Sequence, residues 1–501
     1  MNRSMIRYVL GHVLKIEGAL LLLPCLIAVF YREKEGLYYL AVAAICLLLG
    51  YLMTHKKPKS NVFYMKEGCV ATTLSWVALS FFGCLPFWFS REIPSFTDAL
   101  FETISGFTTT GASILSDVEA LSHAALLWRS FTHWIGGMGV LVFLLAIIPM
   151  SGGSHINLMR AESPGPSVGK LVPKMKSSAR ILYMIYLGMT VLEFILLLAG
   201  KMPIFDALCT SFGTAGTGGF GIKNDSFGTY SPYLQWVVTI FMILFGVNFN
   251  AYYFILFRQI KRALHMEEVR YYFLVIFAST AIIFISLLQD AMHIADALRH
   301  SAFQVASIIT TTGFSTADFD LWSQTSKTVL VLLMFIGACA GSTGGGIKVS
   351  RIVILLKTVK KELNSYLHPK IIKKINFEEK PVEHEVVRAV NVYFITFVLL
   401  FSASVFLVSI EGRDLVTNFT AVAATINNIG PGLALVGPTQ NFGLFSPFSK
   451  YVLMFDMLAG RLELFPILIL FHPGILREFF PKKVKRVEKN RKKEKQSSRR
   501  R

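Results

Sequence analysis

The stretch that decides the fold runs from Phe96-Thr97-Asp98-Ala99-Leu100 to Thr108-Thr109-Thr110-Gly111-Ala112-Ser113. It predicts a short amphipathic helix that begins near an Asp and ends in a turn of hydroxyl residues and glycine. Long apolar segments precede and follow it, and the stretch itself is too short to cross a bilayer, for which about 20 residues are needed. This combination indicates a short helix enclosed between two membrane-spanning helices.

The same arrangement recurs three times further along the chain. Each copy begins at an Asp and ends at a glycine turn: Asp206 to Thr217-Gly218-Gly219, Asp296 to Thr311-Thr312-Gly313, and Asp414 to Asn428-Ile429-Gly430. The four Asp-to-Gly spacings are 13, 13, 17 and 16 residues. Self-similarity at a period of roughly a hundred residues identifies an internal repeat, and this repeat determines the fold.

The composition is that of a protein embedded in a membrane. Of its 501 residues, 53% are hydrophobic and 16% are charged, whereas a soluble domain carries about 25% charged residues. The mean hydropathy is +0.54. Six cysteines lie in apolar stretches without metal or disulfide spacing, so we interpret them as small buried hydrophobic residues. The first apolar segment contains Lys15 and Glu17 and lacks a small-residue cleavage site, which predicts a retained helix.

Ten segments are candidates for membrane spans. They are residues 9–30, 37–54, 69–90, 126–149, 181–199, 232–257, 271–289, 328–356, 386–410 and 450–472. The predicted fold is an all-α polytopic membrane protein: an N-terminal helix hairpin and four helix–pore helix–helix repeats around a central pore, with ten transmembrane helices and four re-entrant pore helices. The predicted units are the transmembrane hairpin 1–66, pore repeats 67–160, 161–265, 266–365 and 366–480, and a basic cytoplasmic tail 481–501.

Basic residues are distributed unevenly across the predicted membrane. An even number of spans places both termini on one side, and segments on that side hold 35 of the 50 Lys and Arg residues, against 9 in the opposite segments. Lys and Arg accumulate on the cytoplasmic side, so both termini are predicted to be cytoplasmic and the four turns to enter from outside. The distribution of the +19 net charge therefore argues against nucleic-acid binding. We interpret the tail 481–501 as a solvated anchor near anionic lipid headgroups, with a docking arm for a partner as the alternative.

The four turns combine the features of a cation site. Non-helical backbone at membrane depth is tolerated only where protein buries it or where it lines a water-filled cavity, so the turns are best satisfied together around one axis. Glycine lets carbonyl groups converge without a Cβ clash, and Thr or Ser hydroxyls add oxygen ligands. Each short helix would point its C-terminal end, worth about half a negative charge, at the same volume. These features describe a site for a dehydrated monovalent cation.

The opposite end of each short helix carries unpaired amides, and an Asp stands near each of these ends. We expect Asp98, Asp206, Asp296 and Asp414 to be the N-cap residues. The alternative is that the turns are structural re-entrant loops with incidental glycines. A single copy would fit either interpretation, but four copies in corresponding positions favour a shared site.

Several motifs together resemble the Trk/Ktr/HKT superfamily of potassium transporters, which is similar to four fused potassium-channel subunits. The motifs are Ser105-Gly106-Phe107-Thr108-Thr109-Thr110-Gly111, Trp134-Ile135-Gly136-Gly137-Met138-Gly139, Gly246-Val247-Asn248-Phe249-Asn250, Thr311-Thr312-Gly313-Phe314 and Asn428-Ile429-Gly430-Pro431-Gly432. The resemblance covers residues 1–475, and the N-terminal hairpin makes the chain most similar to the TrkH subunits of bacterial Trk systems. It implies potassium uptake across the bacterial cytoplasmic (inner) membrane.

The resemblance also implies a potassium-binding selectivity filter at the turns. The implied filter residues are Thr109, Thr110, Gly111, Thr217, Gly218, Gly219, Thr311, Thr312, Gly313, Asn428, Ile429 and Gly430. Glycine at the third position of all four turns matches members that conduct potassium, whereas a Ser in the first turn is associated with sodium preference. Because no filter Tyr is present, we expect conduction of both ions with some preference for potassium.

A glycine-rich break is predicted in the second span of repeat three. Residues 337–346, which we call the glycine loop, contain five glycines. Each consecutive glycine destabilises a helix by about 1 kcal/mol relative to Ala, which favours a break over the alternative of close helix packing. In the family this segment is the intramembrane loop that gates below the filter. The resemblance assigns the gate to Gly341, Ser342, Thr343, Gly344, Gly345, Gly346 and Arg461.

Arg461 is a charged residue inside the last predicted span. It lies about 11 residues into that span, or roughly 17 Å at 1.5 Å per residue, and so near the bilayer centre. A charge there is costly and normally faces the bundle interior or an aqueous path. Glu463 is a poor partner, because residues two apart on a helix diverge. In the family a matching Arg faces the pore beneath the filter.

Two other functional classes are weighed against a potassium pathway. A symporter that couples potassium to protons or sodium would need an intramembrane carboxylate relay, for which Glu193 and Asp456 are the main candidates. A membrane enzyme is disfavoured, because the sequence shows no nucleophile–base set and no metal-ligand spacing. The pattern Gly216-Thr217-Gly218-Gly219-Phe220-Gly221 has no preceding strand, as a dinucleotide site requires.

The sequence contains no nucleotide-binding domain, so any nucleotide control must come from a partner. The resemblance implies a cytosolic TrkA-like ring subunit that binds NAD or ATP, and a homodimer of the membrane subunit. The potassium ion is the only ligand expected on this chain. Membrane lipids are expected to surround the protein, and no nucleic acid is expected to bind it.

The predicted topology can be tested by labelling. A reporter fused after Lys482 should lie in the cytoplasm, and a cysteine at Ser226 should react with an impermeant thiol reagent from outside. The opposite labelling pattern would invert the topology and place the turns on the cytoplasmic face.

Overall fold

The computed structural model describes residues 1–58, 64–139, 175–369, 374–378 and 380–479. Nearly all regular structure in this part of the chain is helical, apart from a short antiparallel pairing of β1 (Asn376–Phe377) with β2 (Lys380–Pro381). Six of the described helices are long and apolar enough to cross a membrane, or seven if a bent pair counts as one span. The prediction of an all-α polytopic membrane protein is confirmed, whereas the count of ten spans stays a prediction.

The first two predicted spans form a closely packed hairpin. Helices α1 (Arg3–Leu20) and α2 (Leu22–Tyr31) make one apolar segment, and α3 (Gly36–His55) returns beside it. A Cβ added to Gly50 of α3 would lie 2.7 Å from the carbonyl oxygen of Gly11, so the backbones approach as closely as small residues permit.

Four sets of helices follow, each with a short helix between longer ones. The first set is α4 (Met65–Ser90), α5 (Phe96–Phe107) and α6 (His123–Gly137). The second is α7 (Met175–Ala199), α8 (Ile204–Ala215), α9 (Pro232–Phe245), α10 (Phe249–Leu256) and α11 (Ile260–Leu264). The third is α12 (Glu267–Gln289), α13 (Ile294–Ile309), α14 (Gln324–Met334) and α15 (Val349–Leu367). The fourth is α16 (His384–Ser409), α17 (Leu415–Ile426), α18 (Pro447–Arg461), α19 (Phe465–Leu468) and α20 (Pro473–Phe479).

The helices that follow three of the short helices, α6, α9 and α18, end earlier than predicted. The predicted span 232–257 is wrong as a continuous helix, because α9 and α10 meet at an angle of 92°. The predicted span 450–472 is also interrupted, since α18 ends at Arg461 and the left-handed residues Glu463 and Leu464 follow it. Helix α6 ends at Gly137, and residues 140–149 of the predicted span 126–149 lie outside the described residues. The predicted break in span 328–356 is present between α14 and α15.

The glycine loop stabilises the bend after α9. The carbonyl groups of Phe245 and Gly246, which a continuous helix would use internally, accept hydrogen bonds from Thr343 and Cys339 of the glycine loop. Asn248 then starts the next helix by accepting the backbone N–H of Asn250. The inserted loop therefore satisfies the backbone groups that the bend exposes.

The N-cap prediction is wrong for three of the four Asp residues. Asp98, Asp206 and Asp296 lie in the first turn of their helices, and the cap positions are occupied by Ser95, Pro203 and His293. A carboxylate in the first turn still interacts favourably with the positive end of the helix dipole, so proximity to a helix start does not identify the cap.

Asp414 is an N-cap, as predicted. It accepts the backbone N–H of Thr417, and hydrogen bonds from Thr417 hold the pKa of Asp414 below its usual range. These positions explain the unequal Asp-to-Gly spacings. Helix α13 has 16 residues where the other three short helices have 12, and the Asp of α17 stands before the helix instead of within it.

Candidate functional site

The four short helices end in the same hydrogen-bonded turn. We call the twelve turn residues 109–111, 217–219, 311–313 and 428–430 the ring. The first residue of each turn is left-handed, with φ between 52° and 58°, and the N–H of the second donates to the carbonyl five residues earlier at 2.8–2.9 Å. These bonds satisfy helix-end carbonyls in the manner of a Schellman motif. Thr occupies the first position in three turns, and a β-branched residue is strained in this conformation.

Strain of this kind persists only where the surrounding structure requires it. Its recurrence at the same position of all four turns indicates one shared constraint. The third residue of each turn is a left-handed glycine, with φ from 78° to 103°. Glycine adopts this conformation without the steric cost of a Cβ.

The turns close into a ring through their glycines. Each glycine faces the carbonyl oxygen of the second residue in the next turn, and a Cβ added to any of them would come within 2.8 Å of that oxygen. The pairs are Gly111 with Gly218, Gly219 with Thr312, Gly313 with Ile429, and Gly430 with Thr110. The fourth turn thus meets the first, and only glycine permits this spacing.

A cavity of about 190 Å³ lies against the ring. All four ring glycines line it, together with the loops that follow the turns. Neighbouring loops are joined by hydrogen bonds around the whole circuit. These are Val118 N to Asn224 Oδ1 (2.8 Å), Phe227 N to Ser315 O (2.8 Å), Thr439 Oγ1 to Asp318 Oδ2 (3.3 Å) and Phe442 N to Ser113 O (2.8 Å). The entrance to the ring is therefore held by all four sets of helices.

Two of the ring hydroxyls take part in hydrogen bonds within their own turns. The hydroxyls of Thr110 and Thr312 are hydrogen-bonded to those of Thr108 and Thr310, at 2.8 and 2.7 Å. Asn428 donates from its side-chain amide to the Thr110 hydroxyl at 3.0 Å, which links the fourth turn to the first. These hydrogen bonds brace the turns, and the prediction that ring hydroxyls serve as oxygen ligands stays a prediction.

A buried ion pair stands behind the first two turns. Glu102 of α5 pairs with Arg129 of α6 at 2.8 Å, and both side chains are almost fully buried, with 0% and 2% exposed. Glu102 also accepts the N–H of Ile114 and the hydroxyl of Ser113. Arg129 donates to the carbonyl of Gly221, so the pair connects the loops after both turns.

His133 of α6 supports the second turn directly. One ring nitrogen, Nε2, accepts the N–H of Phe220 at 3.2 Å, and Nδ1 lies 2.8 Å from the carbonyl oxygen of Gly106. Since the second contact requires a proton on Nδ1, the imidazole bridges α5 and the second turn as the Nδ1–H tautomer. Its side chain also fills the space beside Gly218.

The glycine loop is fixed at several points. Besides its bonds to Phe245 and Gly246, the loop is held by Glu268, the second residue of α12. The Glu268 carboxylate is 3% exposed and accepts the N–H of Ala340 at 2.7 Å and that of Ser350 at 3.2 Å. Asn248 also donates to it, at 3.3 Å. A buried carboxylate thus connects the loop to the first turn of α15.

Two cations contact backbone carbonyls at the loop. Arg461 donates to Thr343 and Gly137, at 3.0 Å each, and also to Gly136. It therefore connects the loop to the end of α6, where helix carbonyls lack internal partners. Lys348, which is 1% exposed, donates to the carbonyls of Gly344 and Gly345. Glu463 pairs with Arg351.

Five supporting residues were not predicted from the sequence: Glu102, Arg129, His133, Glu268 and Lys348. Charged residues within apolar segments were a usable signal, the same one that identified Arg461. The partners themselves depend on contacts between helices, which spacing along the chain does not reveal.

The two relay candidates are buried but are not joined to each other by a hydrogen bond among the described residues. Asp456 of α18 accepts the hydroxyl of Ser404 at 2.7 Å, and Glu193 lies on α7. All six cysteines are free and five are buried, as expected of small hydrophobic residues.

The chain is similar to known transport proteins over most of its length. The family model TrkH, described as cation transport protein, matches residues 39–475. The chain is 34% identical over 490 residues to the "Trk system potassium uptake protein TrkH" of Salmonella typhimurium, covering 95% of this chain and 100% of the relative. It is 32% identical to the "Trk system potassium uptake protein TrkG" of Escherichia coli K12, covering 94% and 99%. The crystal structure of the potassium transporter TrkH from Vibrio parahaemolyticus matches with a TM-score of 0.85 and 31% identity, covering 95% and 100%.

Removing one partner of the buried ion pair should lower the stability of the protein. Arg129→Met leaves the Glu102 carboxylate buried without its counter-charge, which should cost about 3–5 kcal/mol. Arg299→Met is the matched control, because its partner Asp296 is 46% exposed and such pairs contribute about 0–1 kcal/mol. Thermal midpoints of both variants in detergent, read by size-exclusion chromatography after heating, compare the two losses. Equal midpoints for the two variants would show that the buried pair is not a principal support of the turns.

Proposed function

This chain belongs to the TrkH family of cation transport proteins, and from that membership we propose how it takes up potassium through the membrane. Potassium passes through the ring, which acts as a four-part selectivity filter. The observation that carries the proposal is the closure of the ring, in which each turn's glycine contacts the next turn's carbonyl oxygen. A closed set of carbonyl oxygens is a site that can replace the water around a dehydrated cation.

Electrostatics support a cation over an anion at this site. Four helices terminate at the ring, and each C-terminal end contributes about half a negative charge. Glu102 and Arg129, which are buried beside the loops that follow the first two turns, neutralise each other. Oriented backbone carbonyls attract monovalent cations without holding them too tightly to pass.

The glycine loop and Arg461 form the proposed gate. Arg461 places a fixed positive charge beside the loop, and the low dielectric of the interior makes that charge more effective than one at the surface. By donating to Thr343 and to the end of α6, its guanidinium also holds the loop in position. The gate would control how often the path opens, while the ring sets which ion is preferred.

The alternative is uptake coupled to protons or sodium. Such a mechanism needs titratable groups along the path, and Glu193 and Asp456 are the candidates. Potassium flux into proteoliposomes that hold this chain alone, measured with and without an imposed proton or sodium gradient, separates the two. Flux that follows the potassium gradient alone supports a channel-like path, and flux that requires the second gradient supports the symporter.

The proposed setting is a multi-pass protein of the bacterial inner membrane with both termini in the cytoplasm. Membership of a Trk system implies partner subunits. We propose a homodimer of this chain and a cytosolic TrkA-like subunit that binds the regulatory nucleotide, with membrane lipids around the dimer.

The filter makes a prediction about ion preference. Gly313→Ser and Gly111→Asp should each reduce discrimination between potassium and sodium, because their side chains would enter the space occupied by the neighbouring carbonyl. Gly188→Ser is the matched control, since no atom lies within 4 Å of a Cβ added there. The readout is relative potassium and sodium uptake into proteoliposomes. Unchanged preference in both ring variants would remove the turns from the conduction path.

The gate makes a separate prediction about rate. Arg461→Ala should raise potassium flux without altering which cation is preferred, because it removes both a fixed charge and three hydrogen bonds to backbone carbonyls. Flux per folded protein, with folding verified by size-exclusion profile, is the measurement. Unchanged or abolished flux in a folded variant would identify Arg461 as a structural anchor instead of a gate.

A further inference from the structure

The glycine loop is hydrogen-bonded to the third turn of the ring through the side chain of Thr311. The N–H of Gly345 donates to the hydroxyl of Thr311 at 2.7 Å, and Thr311 is the strained first residue of the third turn. Both groups are buried. The contact directly connects the segment proposed to open and close with the segment proposed to select the ion.

Close packing reinforces this contact. A Cβ on Gly344 would lie 3.0 Å from the carbonyl oxygen of Thr310, and one on Gly345 would lie 2.9 Å from that of Asn427. The two glycines therefore pack directly against the backbone at the start of the third and fourth turns. Lys348 donates to the carbonyls of the same two glycines, so the Gly345 backbone is held by Lys348 on its C=O and by Thr311 on its N–H.

The corresponding residues of the other three turns lack this hydrogen bond in the described structure. The hydroxyl of Thr109 is buried and has no hydrogen-bond partner in the described structure. The hydroxyl of Thr217 donates to the carbonyl of its own neighbour, Gly216, at 2.7 Å. In the fourth turn, the Asn428 amide donates to Thr110 and to the carbonyl of Met457. The hydrogen bond to the loop is thus a property of the third turn and not of the repeated turn geometry.

We infer that Thr311 is a positioning residue whose hydroxyl docks the closed glycine loop onto the third turn of the ring. Opening of the loop breaks the Thr311–Gly345 hydrogen bond, so the third turn holds the closed gate in addition to lining the path. The inference rests on the proposed function in one respect, namely that the glycine loop is the gate. The docking itself does not depend on transport.

Cysteine chemistry can report loop docking without transport. Cys339 lies in the glycine loop and is fully buried, whereas Cys209 is fully buried on α8, away from the loop. In purified full-length protein, the rates at which a small thiol reagent labels these two residues can be separated by peptide mass spectrometry. Faster labelling of Cys339 alone reports release of the loop, and faster labelling of both reports general loosening.

The informative comparison is between Thr311→Ala and Thr311→Ser. Both changes remove the β-branch at a left-handed position, so they differ in the hydroxyl. We expect Cys339 to react about five-fold faster in Thr311→Ala than in Thr311→Ser, which corresponds to the loss of one neutral hydrogen bond. Thr109→Ala and Thr109→Ser form the matched pair, and the ratio of their Cys339 rates should be close to one, because the Thr109 hydroxyl has no loop partner.

The outcomes separate the docking from the gate. Equal Cys339 rates in the two Thr311 variants, a similar ratio in the Thr109 pair, or a matching rise at Cys209 would each overturn the inference. Potassium flux through the same variants tests whether the docked loop closes the path. Thr311→Ala should conduct about five-fold faster than Thr311→Ser. A released loop with unchanged flux would contradict the gate assignment while the docking stands.

Discussion

Backbone that leaves helical geometry at membrane depth must find hydrogen-bond partners or water, and this constraint explains most of the architecture. The four turns satisfy their helix-end carbonyls by folding back on the short helices, with the second-residue N–H bonds at 2.8–2.9 Å. The carbonyl groups exposed at the bend after α9 accept hydrogen bonds from the glycine loop. Arg461 and Lys348 then donate to carbonyls of α6 and of the loop. The backbone carbonyls of these irregular segments therefore find their hydrogen-bond partners within the protein.

The same constraint separates two kinds of charged residue inside the protein. Glu102 and Arg129 neutralise each other, and together they brace the loops that follow the first two turns. Arg461 and Lys348 contact backbone carbonyls, so they stabilise irregular chain and leave positive charge in the interior. The first arrangement suits a scaffold, whereas the second suits a segment whose position affects a passing cation.

Much of this design could be predicted from the sequence, because repetition reveals what one copy cannot. Four Asp-to-Gly stretches identified the short helices and their turns, and five glycines in ten residues identified the break between α14 and α15. The N-caps were missed at Asp98, Asp206 and Asp296, since an acidic residue is favourable anywhere in the first helical turn. The bend at Gly246 was missed because its carbonyl groups are satisfied by a distant segment, the glycine loop. The end of α18 was missed because its left-handed residues, Glu463 and Leu464, are not the glycine that usually marks such an end. The contact between Thr311 and Gly345 was equally invisible, since nothing local distinguishes Thr311 from Thr109.

A dehydrated monovalent cation bound by the ring carbonyls would be visible by anomalous scattering. The measurement uses crystals of the protein soaked with thallium(I) or rubidium, which replace potassium in oxygen sites. We expect an anomalous peak on the axis enclosed by the carbonyls of Thr110, Gly218, Thr312 and Ile429. Well-diffracting crystals with anomalous peaks elsewhere and none at the ring would contradict it.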